Sequence, residues 1–136
     1  FQKVEIKPGK PVWFGVLEKA RDGRPRYVFG LPGNPVSTLV CFELFVRTAF
    51  RKLMGMSPPQ PQPVDALLEC EYRSRGDRPV YHPAVLRMTS EGYRARVVPW
   101  QGSSDLRATV EANAMIHIPA GERRYDPGAV VQVYSW

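Results

Sequence analysis

The stretch from Tyr27 to Gly55, YVFGLPGNPVSTLVCFELFVRTAFRKLMG, limits what this chain can fold into more than any other part of it. Tyr27, Val28 and Phe29 are aromatic or β-branched and predict a short strand. Gly30-Leu31-Pro32-Gly33 predicts a tight turn, its two glycines free to take positive φ and its proline fixing its own. Asn34 is a good N-cap, with a side-chain oxygen able to accept from the amides of Val36 or Ser37. Pro35 falls at the first helical position, where a missing N–H costs nothing. Val36, Leu39, Val40, Phe50 and Leu53 recur at helical spacing, and Gly55 stops the run. Phe42, Leu44, Phe45 and Val46 widen the apolar surface past one stripe, which predicts a helix buried on most sides. Arg47, Arg51 and Lys52 gather in its last turns, where cations complement the carbonyl end of the dipole.

A strand, a glycine-rich turn and a capped helix start aim free backbone N–H groups and the positive end of a dipole at one spot. The spacing matches neither the Walker loop nor the dinucleotide fingerprint. The residues alone therefore leave two readings open, an anion site and a well-capped strand-to-helix turn.

Composition narrows the class. At 136 residues the chain has room for one ordinary domain or two small pieces, and 43% hydrophobic with 24% charged residues is a globular balance. The net charge of +6 comes from 19 Lys and Arg that run only in short pairs such as Arg51-Lys52 and Arg123-Arg124. That pattern fits a solvated basic surface or affinity for small anions; no nucleic-acid module is present to suggest a nucleic-acid partner. Leu39 to Val46 is too short to cross a membrane and is interrupted by Glu43, so no membrane insertion is expected. Phe1 opens no signal peptide, and FQKVEI reads as the middle of a strand, so the chain is expected to begin inside a longer protein. Cys41 and Cys70 lack a CxxC partner and read as buried thiols in a reducing compartment, which points to the cytoplasm. His82 and His117 have no ligand-spaced partners, and no Ser-His-Asp, paired-carboxylate or zinc pattern exists. Accordingly no metal ligand and no catalytic residue is assigned.

Taken in order, Phe1 to Ile6 alternates as a strand with Val4 and Ile6 inward. Lys7-Pro8-Gly9-Lys10 has the residue types of a type II turn, and two ammonium groups held that close must be solvated or share an anion. Pro11 to Leu17 predicts an apolar strand with Gly15 as a bulge or a close backbone approach. Glu18 to Pro25 is a polar hairpin loop turning at Asp22-Gly23, after which Tyr27 to Gly30 returns beside its predecessor. Ser57 to Pro63, SPPQPQP, is a semi-rigid proline-rich linker. It divides residues 1–56, part of an α/β unit with one long buried helix, from residues 64–136, a small all-β barrel-like unit. In the second unit, strands are predicted over Asp65–Tyr72, Tyr81–Met88, Tyr93–Val98, Met115–Ile118 and Ala129–Tyr134, with Thr89 to Gly92 as a hairpin turn. Ser103 or Ser104 can cap a short helix over Leu106–Ala112, with Asp105 in its first turn.

Five motifs stand in one order along nearly the whole chain: IKPGKP at Ile6–Pro11, Phe14-Gly15, GLPGNPVS at Gly30–Ser37, GSSD at Gly102–Asp105 and PG.VV.V at Pro127–Val133. In this the chain resembles the molybdopterin molybdenumtransferase family, of the MoeA and gephyrin E-domain type. The resemblance implies an enzyme that inserts molybdate into molybdopterin presented in adenylylated form, with Mg²⁺ assisting. It also implies a homodimer and a longer protein, whose metal-holding acidic residues precede Phe1. On this chain it assigns cofactor contacts to Lys3, Lys7 and Lys10, to the Pro32-Gly33-Asn34-Pro35 turn, and to Ser103 with Ser104 as neighbour. The family often carries an arginine where His82 and Pro83 stand here, which leaves two readings open: Arg78 or Arg87 supplies that charge, or the small barrel unit contacts ligand less. Two other classes remain open, a gephyrin-like peptide-binding scaffold and a structural dimerisation module.

Overall fold

The computed structural model describes residues 1–18 and 22–136. Its first part is a two-stranded antiparallel sheet, β1 (Trp13–Leu17) and β2 (Arg26–Gly30), followed by a helix. The register runs unbroken from Trp13↔Gly30 to Leu17↔Arg26, so Gly15 is not a bulge. It is the close approach instead: a Cβ there would sit 2.5 Å from the Trp13 ring. On the opposite face Phe14 packs on Phe29, with ring centroids 4.8 Å apart, and on Phe1. Residues 19–21 of the expected hairpin loop lie outside the described residues. Asp22 and Gly23 do turn, and Arg26 donates to the Asp22 carboxylate at 2.7 Å.

The helix runs as α1 (Pro35–Cys41), a π-helical turn (Phe42–Val46) and α2 (Arg47–Leu53), 19 residues in all. Val36, Val40 and Cys41 are buried, but Phe50 is 56% and Leu53 61% exposed, so the expectation of burial on most sides fails for the last turns. The π turn is one physical reason. It spends an extra residue on a turn, so a stripe drawn from Val36 at ordinary helical spacing does not carry past Val46. Glu43, inside the π turn, is 3% exposed; burial pushes its carboxyl up, while Arg47, donating at 2.8 Å, and Arg51 pull it back.

Phe1 to Ile6 forms no strand, contrary to the reading from alternation. Its bonds run across a loose return instead, with the Val4 amide on the Lys10 carbonyl and the Phe14 amide on the Phe1 carbonyl. In the Lys7–Lys10 turn the Lys7–Pro8 peptide is cis, and Gly9 takes a positive φ of +118°.

The segment from Ser57 to Pro63 carries no strand or helix. Beyond it, β3 (Val64–Leu68), β5 (Val80–Thr89), β6 (Gly92–Val97), β7 (Ala114–Ile118) and β9 (Val130–Ser135) close a barrel in the order β3-β6-β5-β7-β9. The strand expected over Asp65–Tyr72 breaks after Leu68. Its end belongs to a separate ribbon, β4 (Tyr72–Ser74) on β8 (Arg123–Tyr125), whose short polar strands carried no alternation signal. Ala66, Leu68, Ala84, Ala95, Ile116, Ile118 and Val133 fill the barrel. Asn113 extends the pairing beyond β7, its side-chain amide bonding both the amide (2.7 Å) and the carbonyl (3.1 Å) of Leu86.

His82 lies on the inward face of β5 with Val80 and Ala84, as strand alternation requires. Its Nε2–H donates to the Val98 carbonyl at 3.0 Å, so Nδ1 is the acceptor of the Tyr72 hydroxyl at 3.1 Å. Burial pushes its pKa below the ordinary 6.5, since charging it would strand a cation inside the barrel. The sign follows from linkage. The unfolded chain binds the proton more readily, so stability is full above about pH 6.5 and falls as pH drops from there towards the lowered folded value. Thermal melts at pH 7.5 and pH 5 should give a lower Tm in acid, and His82→Gln should reduce that difference. An equal pH effect in the variant would mean that other groups, His117 among them, set it.

Candidate functional site

Where the helix start meets the barrel there is a cleft of about 240 Å³. Its polar lining is Lys7, Lys10, Asn34, Ser37, Arg78 and Ser103, with Pro32, Gly102 and Trp100 among its walls. Three cations and two hydroxyls thus come together from segments far apart in the chain, from Lys7 to Ser103.

Each is placed by a specific local device. The Lys7 backbone joins the start of β5 as a parallel bridge to Val80: its amide donates to the Pro79 carbonyl at 2.8 Å, and the Tyr81 amide donates to its carbonyl at 2.7 Å. Gly9, buried against the helix, holds the loop between the two lysines at its depth. A Cβ on it would meet the Cys41 sulfur at 2.6 Å, and its positive φ excludes other residues independently. The Cys41 thiol donates to the Gly9 carbonyl at 3.5 Å and stays protonated, because burial pushes its pKa up to about 11. Arg78, its side chain 26% exposed, donates to the Ile6 carbonyl at 3.2 Å. Lys10 has a loose ion pair with Glu5 at 3.9 Å. Ser37 is one helical turn from Asn34 and 4% exposed.

The helix start itself differs from its sequence reading. Asn34 occupies the N-cap position with extended backbone (φ −75°, ψ 130°), yet its side chain caps nothing. Its Nδ2 donates instead to Ser103 Oγ at 2.9 Å, and the Val36 amide donates to the Ser103 carbonyl at 3.1 Å. The loop 102–105 therefore occupies a donor that was expected to be free for an anion. Ser103 and Ser104 do not cap α3 (Leu106–Glu111); Asp105 stands at its N-cap, also without a side-chain bond to the helix. A tertiary contact outcompetes two local caps.

Of the residues singled out from the sequence, Lys7, Lys10, Pro32, Asn34 and Ser103 line the cleft. Lys3, Gly33, Pro35 and Ser104 do not, and Lys3, Gly33 and Ser104 are exposed. Arg78 lines it, whereas Arg87 is bound to Glu69 at 2.9 and 3.0 Å away from it. The sequence reading missed Ser37 and Trp100. Ser37 was legible, because it lies three residues after Asn34 and so on the same helix face. Trp100 gave no signal. A second cavity, about 210 Å³ between β2 and α2, is walled by Tyr27, Phe29, Val46 and Phe50, and offers an anion only Arg26.

Residues 1–52 match the family model described as a probable molybdopterin binding domain, and residues 65–136 match the MoeA C-terminal region (domain IV). A molybdopterin molybdenumtransferase of Staphylococcus epidermidis is 32% identical over 133 residues, which is 98% of this chain and 30% of that protein. The Staphylococcus aureus protein of the same name is 32% identical over 135 residues. Among solved structures, the molybdopterin biosynthesis MoeA protein of Pyrococcus horikoshii superposes over 100% of this chain and 32% of its own, with TM-score 0.74 and 31% identity. A molybdenum cofactor biosynthesis protein of Pyrococcus furiosus does so over 100% of this chain and 45% of its own, with TM-score 0.76 and 28% identity. The chain thus spans about a third of the length of the curated relatives it matches. No described helix is long and apolar enough to cross a membrane. With both family models matched in order and the fold shared end to end, this chain belongs to the MoeA family of molybdenum cofactor biosynthesis proteins.

Proposed function

We propose that the whole protein is a molybdopterin molybdenumtransferase, which inserts molybdate into molybdopterin presented in adenylylated form, and that this chain supplies the oxyanion-binding half of the site. The convergence of Lys7, Lys10 and Arg78 with the Ser37 and Ser103 hydroxyls in one cleft carries this reading. Lysine and arginine side chains offer donors only, so the lining is built to receive acceptors. At about 240 Å³ the cleft is smaller than pockets that enclose whole organic ligands, which start at about 300 Å³. It suits a tetrahedral oxyanion or one phosphate group better than an aromatic peptide side chain with its backbone.

Lys7 and Arg78 are anchored before any ligand arrives, by β5 and by the Ile6 carbonyl. The Arg78 guanidinium, fixed in this way, stabilises charge without reorganising when it arrives, and the backbone bonds of Lys7 hold its side chain's base beside the cleft. Lys10 exchanges its loose partner Glu5 for the anion. Lys3 and the rest of the Gly33–Pro35 turn act, in this reading, on the larger part of the substrate outside the cleft. Mg²⁺ is a different matter. Among the described residues no three His, Cys, Asp or Glu side chains come together as a metal site, so the groups present do not fit the ion and no step runs through it here. Its ligands belong, in this proposal, to the part of the longer relatives that this chain does not cover. A cytoplasmic homodimer is the matching assembly.

The test uses the purified full-length protein with adenylylated molybdopterin and molybdate, following AMP release and molybdenum bound in the product. Both should rise together. A protein that does neither, yet captures a peptide in this cleft, would belong to the scaffold class instead.

A further inference from the structure

We propose that Asn34 is a positioning residue that aims the Ser103 hydroxyl proton into the oxyanion cleft. The inference rests on the oxyanion reading given above. Asn34 stands where an N-cap belongs, but its side chain makes no bond to the helix. It reaches across 69 positions of sequence and donates from Nδ2 to Ser103 Oγ at 2.9 Å. The Ser103 carbonyl, meanwhile, accepts the Val36 amide at 3.1 Å, so the backbone of the loop is already fixed on the helix without any help from Asn34. The side-chain bond is not needed to dock the loop. It has another consequence.

A serine hydroxyl has one proton to give and two lone pairs to accept with. With Asn34 donating into one lone pair, the hydroxyl proton must point elsewhere. Among the described residues the Ser103 hydroxyl makes no bond as a donor. The charged groups that line the cleft beside it, Lys7, Lys10 and Arg78, are donors themselves and cannot accept it. Ser37, the other hydroxyl of the lining, has no bond to Ser103 among the described residues, and an oxyanion in the cleft is the acceptor that completes the set. Asn34 acts through Ser103, and the side-chain amide in GLPGNP serves the GSSD loop rather than the helix that follows it.

The experiment is a double-mutant cycle on the full-length protein, with molybdate alone as the probe and titration calorimetry as the readout. Ser103→Ala removes the hydroxyl but keeps the carbonyl that holds Val36. Asn34→Ala removes the group that orients it. Asn34→Ser keeps a cap-competent side chain one atom shorter, and serves should the alanine variant fold poorly. Each single change should weaken molybdate binding about tenfold, the scale of one hydrogen bond to a charged ligand. The decisive result is the double variant: Asn34→Ala or Asn34→Ser should cost nothing further once Ser103 is alanine. Losses that add would overturn the proposal, since Asn34 would then act on the ligand or the helix by itself. Unchanged affinity in the single Asn34 variants would overturn it too. Wild-type protein that binds no molybdate would overturn the oxyanion reading, and the proposal with it, a result distinct from additivity.

Discussion

Replacing Lys7 and Arg78 together by alanine in the full-length protein is expected to lower molybdenum insertion by two orders of magnitude or more while leaving the fold intact. Charge-assisted contacts to oxyanion oxygens contribute about 1.5–3 kcal/mol each. Two such contacts come to about 3–6 kcal/mol, or roughly a hundred- to ten-thousand-fold if both persist in the transition state. The Arg78 side chain is only 26% exposed, so its charge is less screened than a surface arginine's. Lys7 can lose its side chain without losing its place, because the bonds that tie it to Pro79 and Tyr81 are backbone bonds. Arg78→Ala also removes the bond to the Ile6 carbonyl, so circular dichroism and Tm must accompany the assay. Lys3→Ala, which changes a residue outside the cleft lining, should have a much smaller effect. Insertion by the double variant at the wild-type rate would remove these two cations from the site.

The second large effect concerns stability and separates the two faces of β7. Ile116 is fully buried and points into the barrel, with partners on both β5 and β9. Ile116→Ala should cost about 2–5 kcal/mol through lost transfer energy and the cavity left behind. A unit the size of residues 64–136 has only about 4–11 kcal/mol to lose, at roughly 0.05–0.15 kcal/mol per residue. Its unfolding midpoint in urea should fall steeply. Met115, the neighbouring residue, faces the other way yet is only 1% exposed, because Val36 and Val40 of the helix cover it. Met115→Ala should destabilise by a similar amount but through the junction, so that the helix and barrel melt apart. Tryptophan fluorescence can follow the change, with Trp13 reporting the hairpin and Trp100 and Trp136 the junction of helix and barrel. A single shared transition in the Met115 variant, at the wild-type midpoint, would mean that the junction contributes little.

What the sequence determined by itself was local and periodic. Alternation and turn chemistry located β5, β6, β7 and β9 to within a residue or two, because a half-buried strand must repeat every two residues. Pro35 after Asn34 located the helix start to the residue, since proline is tolerated there and not a turn later. The order of the motifs pointed to the family, and Lys7, Lys10, Pro32, Asn34 and Ser103 of the cleft lining were among the residues it named.

Only the tertiary structure decided which of several local options each side chain took. Asn34 and Ser103 each had a helix to cap, and each gave it up for the other, because a bond between them satisfies both across the junction. Phe1 to Ile6 alternates like a strand but has no strand partner among the described residues, and alternation cannot supply one. Phe50 and Leu53 looked like core at helical spacing, and the π turn before them set that spacing aside. Met115 sits at an outward position that periodicity assigns to solvent, and it is buried only because a helix from the other end of the chain lies on it. Arg78 had no motif at all; its place in the cleft comes from lying just before β5, where the Lys7 backbone bridges to Val80. In each case the deciding energy lies in a contact between residues far apart in sequence, which no local window contains.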